Sequence, residues 1–410
     1  MTMCLQMKQA RPARSPRPGK PIFVFLALLV ATCSASAGTR LFLPVFSEPV
    51  PAQIERELRI LSAGSGGSLG TLLAGRSMTA TAMDSGGGRL FIGGNSSPGG
   101  LSVYDIGTGT LRTLDIPVSF PNAFGLDESS GRLFVGGFVD DNIAEIDLVS
   151  MQVVNVIELT GQPVGVEGIA VDPNRGRLHL IRQNRLETID LATSAVIQRV
   201  DLEPMSAVRD MQRFDALRDR LYFSAGLSQI EVFDVTDEGL VPYATVQFDR
   251  QFRSLFLDAP GARLYGGVTS AGIDEGTYAI DVDSIPPGAS SSDAVDTRFL
   301  SLPRRAPYMD LDRDSGILYL VQDYHVTPHL PPRPPGDPMT IFAVDPQSLE
   351  IQQIIETEIG GPSVPIDGFL TRIDGPNGVA AASVPALTGP GVFLLLAVLG
   401  TVGFVAMRKY

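Results

Sequence analysis

Six times along the chain an Asp is followed, six residues later, by a Leu that opens a short apolar run: Asp84/Leu90, Asp127/Leu133, Asp172/Leu178, Asp215/Leu221, Asp258/Leu264 and Asp312/Leu318. The spacing inside the unit never varies, and successive units lie 43, 45, 43, 43 and 54 residues apart. A fixed local pattern recurring at a period in the forties marks one supersecondary unit copied along the chain. A unit that short cannot bury its own apolar face, so the copies must stack on one another. The strings themselves say what the unit is: LDESSGRLFVGG, VDPNRGRLHLI and LDAPGARLYGG each run from an apolar stretch through a turn into an Arg-Leu-aromatic or Arg-Leu-His run. We name the stretch ending at the repeat Asp strand A and the run after the turn strand B. Strand C then ends in a second Asp, at Asp105, Asp147, Asp190, Asp234, Asp281 and Asp345, and strand D follows a Ser/Thr/Gly turn. Short β-rich runs with turn chemistry at regular spacing predict an all-β array of four-stranded blades, a β-propeller. The repeat Asp is expected to close its turn by accepting a backbone N–H about two residues on.

The termini complete the count. FLTRIDGPNGVAAAS places Asp374 six residues before Ala380 and reads as an A–turn–B piece, whereas LRILSAGSGGSLGTLLAG (58–75) reads as a C–turn–D piece. Two strands from each end make a seventh blade and cover the open edges of the array. The expectation is a seven-bladed propeller over 55–383, with six blades the alternative if the two end pieces do not pair.

The flanks carry addresses. Residues 1–37 have a basic start (Lys8, Arg11, Arg14, Arg17, Lys20), the apolar run PIFVFLALLVAT and Ala35-Ser36-Ala37, the pattern of a secretory signal peptide. Both cysteines, Cys4 and Cys33, lie inside it. Residues 38–54 read as a linker. In 384–410, 17 uncharged, mostly apolar residues (391–407) precede Arg408 and Lys409, the pattern of a minimal membrane span with its basic end in the cytoplasm. The protein is therefore expected to be exported, periplasmic or at the cell surface, and held at the membrane at least transiently.

Two resemblances follow from these residues. Val384-Pro385-Ala386-Leu387, Gly391, the apolar run and the basic end resemble bacterial IPTL-CTERM sorting tails, with Pro390-Gly391 in the place of the usual Trp-Gly. That resemblance implies a sorting protease as partner. The repeat over about 55–383 resembles the YVTN-type propellers, relatives of WD-repeat rings, with Leu-Phe-Val-Gly-Gly at 133–137 in the slot of the Tyr-Val-Thr-Asn string. Members serve as surface proteins, scaffolds and occasionally enzymes, so the resemblance speaks for fold more than function.

The formal charge of −13 becomes −18 without residues 1–37, which argues against nucleic acid as a partner. Of the three histidines, His179 reads as a buried strand residue, and His325 and His329 sit in DYHVTPHLPPRPPGDP, an insertion too rich in Pro for a helical metal pair. No catalytic Ser-His-Asp set is suggested, and the absence of Trp argues against a quinoprotein. Asp310, Asp312 and Asp314 alternate as in a calcium loop, but no Glu closes the loop, and Asp312 is itself the repeat Asp. No cofactor is predicted, calcium being the one weighed. SIPPGASSSDAVD (284–296) reads as an exposed insertion. The D–A connections carry Arg76, Arg209, Arg250, Arg253, Arg304 and Arg305, and His325 would join them on the same face of the ring. Arg forks carboxylate and phosphate well, so this set is the candidate anion site, with local pairing to Asp and Glu as the plainer reading. The functional expectation is a non-catalytic binding module for a protein, glycan or anionic small molecule. The alternatives are a lactonase-like hydrolase or lyase using a divalent cation, and a structural envelope component.

Overall fold

The computed structural model describes residues 39–50, 53–73, 78–84, 86–94, 100–159, 165–182, 184–202, 212–224, 228–269, 275–302, 308–313, 315–322, 339–357, 364–365 and 371–374. Their strands form seven antiparallel sheets arranged around an axis, a WD-repeat-like seven-bladed β-propeller. Blade 1 comprises Met78–Asp84, Arg89–Gly94, Gly100–Asp105 and Thr110–Asp115, strands A to D from the axis outward. The A strands of blades 2 to 6 are Pro121–Asp127, Gly168–Asp172, Gln212–Asp215, Gln251–Asp258 and Tyr308–Asp312. These strands stand side by side around the axis, and the inner strand Thr371–Asp374 of the closing blade touches those of blades 6 and 1.

The closing blade corrects the expected two-plus-two arrangement. The N-terminal segment supplies three strands, Arg40–Val50, Gln53–Ser62 and Ser68–Leu73. Among the described residues the C-terminal segment supplies the inner strand, in two pieces, Val364–Pro365 and Thr371–Asp374, both paired with Arg40–Val50. Arg40–Val50 is thus a strand where a linker was expected. The reason is legible at Arg40-Leu41-Phe42, which has strand B chemistry. Asp374 is the register partner of Arg40, as Asp84 is of Arg89 and Asp127 of Arg132. The repeat unit occurs a seventh time, cut between the chain ends. The strand expected after Asp374, the tail 384–410 and the leader 1–37 lie outside the described residues. Among the described residues no helix is long and apolar enough to cross a membrane.

The repeat Asp closes its turn as expected. Asp127 accepts from the N–H groups of Ser129 and Ser130, Asp172 from those of Asn174 and Arg175, and Asp215 from those of Leu217 and Arg218. The second Asp does the same at C–D turns, where Asp105 accepts from Thr108, Asp147 from Ser150 and Asp190 from Thr193. Each turn then needs a left-handed residue four places after its Asp. Gly88, Gly131, Gly176 and Gly316 serve in A–B turns, but Asp219 (φ 51°) and Ala262 (φ 54°) hold the same place without glycine's freedom.

Side chains alternate between the two faces of each blade, so every blade feeds two cores. Leu133 and Val135 pack with Phe91 and Val103 of blade 1, whereas Phe134 packs with Ile169 and Leu178 of blade 3. Seven such apolar clusters lie one in each seam, including Leu41 and Leu43 with Tyr319 and Val321, and Phe42 and Leu58 with Leu90 and Ile92. Each fully buried large side chain contributes about 1.5–3 kcal/mol. The insertion 284–296 is not simply exposed. Ile285, Ala289 and Val295 are buried, and the carbonyl of Ala289 accepts from Thr245 N–H at 3.1 Å along the outer strand of blade 4. This insertion covers a strand edge that would otherwise be open.

Candidate functional site

The A–B turns of blades 1 to 6 gather on one face of the ring, and there the channel opens into a cavity of about 530 Å³. Its floor is apolar: Met83, Leu126, Val171, Phe214 and Leu311 each immediately precede a repeat Asp, and blade 5 adds Phe256. Register explains the convergence, because equivalent strand positions in successive blades face the axis at the same depth. Charged groups share the lining, with Asp127, Glu128 and Asp310 against Arg313. Burial opposes ionisation of Asp127, but hydrogen bonds from Ser129 and Ser130 win and hold its carboxyl below the ordinary value. An apolar floor with a few polar groups in the lining is the general form of a small-ligand site.

Around the mouth, arginines tie one blade to the next. Arg89 pairs with Asp84 and reaches the Leu148 carbonyl of blade 2. Arg175 bonds Asp172 at 3.4 Å and, in blade 4, Asp219 at 2.7 Å and Asp237 at 3.2 Å. Arg218 bonds Asp215 at 2.9 Å and, in blade 5, Asp283 at 2.6 Å and the Ala259 carbonyl at 2.8 Å. Asp172 and Asp215 are fully buried, so these guanidinium groups neutralise charges that would be costly alone.

Of the expected anion-binding set, only Arg250 and Arg253 lie among the described residues. Arg250 is largely buried, lies 4.0 Å from the Phe299 ring centroid and donates to the Tyr278 hydroxyl at 2.8 Å. Burial, foremost, pushes the Tyr278 phenol up to about 12. Arg250 is thus engaged by local partners, the plainer of the two readings. Arg253 is exposed on strand Gln251–Asp258. Arg76, Arg209, Arg304, Arg305 and His325 lie outside the described residues, as does Asp314.

Asp310 and Asp312 sit on an extended strand, not in a wrapping loop. Asp310 borders the channel mouth, and Asp312 accepts from the hydroxyls of Ser315 at 2.6 Å and Thr39 at 3.2 Å. Among the described residues no group of three or more His, Cys, Asp or Glu is placed to hold a metal ion. His179 is wholly buried between Thr188 and Phe214, and burial, the main cause, pushes its imidazole down to about 3. The mouth residues themselves were not singled out by sequence reasoning. Their signal was present, since the residue before the repeat Asp is apolar in all six units.

No family model matches the chain, and no curated protein matches it. Solved structures do. A chain of "Crystal Structure of Mitotic Checkpoint Complex" is similar with a TM-score of 0.51 and 17% identity, over 65% of this chain and 82% of that one. A chain of "Dihydro-heme d1 dehydrogenase NirN in complex with DHE" is similar with a TM-score of 0.49 and 12% identity, over 80% and 75%. At such identities the first likeness bears on the fold alone.

Proposed function

We propose that the chain is an exported, non-catalytic binding module of the bacterial envelope, held at the membrane at least transiently by residues 384–410, and that its ligand enters the channel mouth on the A–B face. The observation that carries the reading is the cavity of about 530 Å³ whose apolar floor is built from six different blades. Its lining holds three carboxylates against one guanidinium, which favours a ligand with an apolar body and a positive group over the anion expected from the D–A arginines. The resemblance to YVTN-type propellers and IPTL-CTERM tails supports the surface location.

The test has two parts. Mass spectrometry of the protein recovered from cell envelopes fixes both ends; a first residue near 38 supports export, and an intact leader contradicts it. A thermal-shift screen of small amphipathic ligands on the same material then asks for binding without turnover. A ligand bound at about 100 times its Kd adds about 2.7 kcal/mol of stability. Recovery of that ligand unchanged supports a binding module, and its conversion to product contradicts one.

A further inference from the structure

We infer that the seam between blades 2 and 3 on the A–B face is a binding site for an arginine side chain of a partner polypeptide. The inference rests on the reading of the protein as a binding module and names the partner chemistry. It comes from comparing the blades with one another. Blades 3 and 4 carry an Arg three places after the repeat Asp, Arg175 and Arg218, and each crosses to the next blade. Blade 1 crosses with Arg89, five places after its Asp. Blade 2 has neither bridge. Ser130 stands in the place of Arg175 and Arg218, and its hydroxyl donates to Asp127 at 2.5 Å. Arg132 stands in the place of Arg89 but turns onto Glu145 of its own blade at 2.6 Å.

A cavity of about 410 Å³ opens where the bridge would run. Phe134, Val171, Pro173, Leu191 and Ala192 give it apolar walls for a methylene stem. Two carboxylates border it, Asp127 and Asp190. Asp127 accepts from Ser129 and Ser130, and Asp190 from Ala192 and Thr193. The charge of Arg177 acts on Asp190, but its guanidinium donates to the Thr236 and Asp237 carbonyls of blade 4. Leu191 follows its C–D Asp as Leu148 does, and Leu148 is the residue whose carbonyl receives Arg89. The two arginines that also line the cavity are already matched, Arg132 by Glu145 and Arg175 by three carboxylates. What the seam lacks is the stem and guanidinium that three other seams supply from within. The cavity shares Asp127, Val171 and Pro173 with the channel mouth, so a chain seated there extends into the mouth.

The test uses the full-length protein and two probes of equal shape, N-acetylarginine methylamide and its neutral citrulline analogue, titrated calorimetrically. The arginine probe is expected to bind saturably and at least about tenfold more tightly than citrulline, the value of a charge-assisted bond. Ser130→Arg installs the side chain of blades 3 and 4; it is expected to leave the protein folded and to weaken the probe at least about tenfold by filling the seam. Asp190→Asn, which can still accept from Thr193, is expected to weaken it as well. Equal binding of the two probes, no saturable binding, or undiminished binding to both variants overturns the inference. Tryptamine at the channel mouth serves as the control: a retained tryptamine shift with no arginine binding refutes the seam and leaves the binding-module reading standing.

Discussion

Glycine at the fourth place after the repeat Asp supports a stability prediction that isolates backbone conformation. A Cβ added at Gly131, Gly176 or Gly316 meets nothing within 4 Å, yet all three have φ between 63° and 67°. Replacement by Ala therefore neither clashes nor packs. The left-handed region costs an L-residue about 1–2 kcal/mol. The stiffer unfolded chain returns about 0.4–1 kcal/mol. Each Gly→Ala change should then destabilise by about 0.5–1 kcal/mol. The sites belong to blades 2, 3 and 6, so the triple variant should lose about 1.5–3 kcal/mol by additivity. Scanning calorimetry should show about 2 °C per substitution, judged from the scaling of large domains. The reverse change, Ala262→Gly, relieves the same backbone cost but removes a methyl packed on the blade 4–5 core, worth about 0.8 kcal/mol, and should fall near neutral. A triple variant as stable as the parent would refute the shared-turn reasoning.

Three further outcomes are expected. His179 is neutral in the fold and titrates near 3, against about 6.5 when unfolded, so its contribution is complete above pH 6.5 and drains away as pH falls toward 3, at up to about 1.4 kcal/mol per pH unit; His179→Phe should flatten the stability profile between pH 6 and 4 in urea titrations. Arg218→Met leaves the fully buried Asp215 without its cation and should cost about 3 kcal/mol by denaturant midpoint, more than Arg132→Met, whose partner Glu145 keeps a bond from Asn155. Ending the chain at Thr357 removes the inner strand of the closing blade and should yield an aggregating protein by light scattering, because the edge of Arg40–Val50 loses its partners.

The fold was legible because turn chemistry repeats. Asp at the end of strand A accepts the same backbone bonds in blade after blade, and that constraint is local enough to survive in a single sequence. The closing blade was only half legible. Arg40-Leu41-Phe42 carried the strand B pattern, but its Asp lies more than three hundred residues away, at Asp374, and local spacing cannot join them. The arginines posed the opposite problem. Residue type drew attention to Arg250, yet its partners Tyr278 and Phe299 come from other strands of blade 5 and absorb it. The mouth is built from ordinary apolar residues at a repeated register, and only the ring closure turns Met83, Leu126, Val171 and Phe214 into neighbours. The open seam depends on where Ser130 interrupts a pattern that blades 3 and 4 keep.

The charge preference of the channel mouth tests the account most directly. Tryptamine and indole-3-propionate share an apolar body and carry opposite charges, and each can be added to the full-length protein while its thermal midpoint is followed. The apolar floor and the carboxylate-rich lining predict that tryptamine raises the midpoint, that indole-3-propionate does not, and that Phe214→Asp abolishes the effect. A shift from the carboxylate equal to or larger than that from the amine would contradict the assignment of the A–B mouth as the binding site.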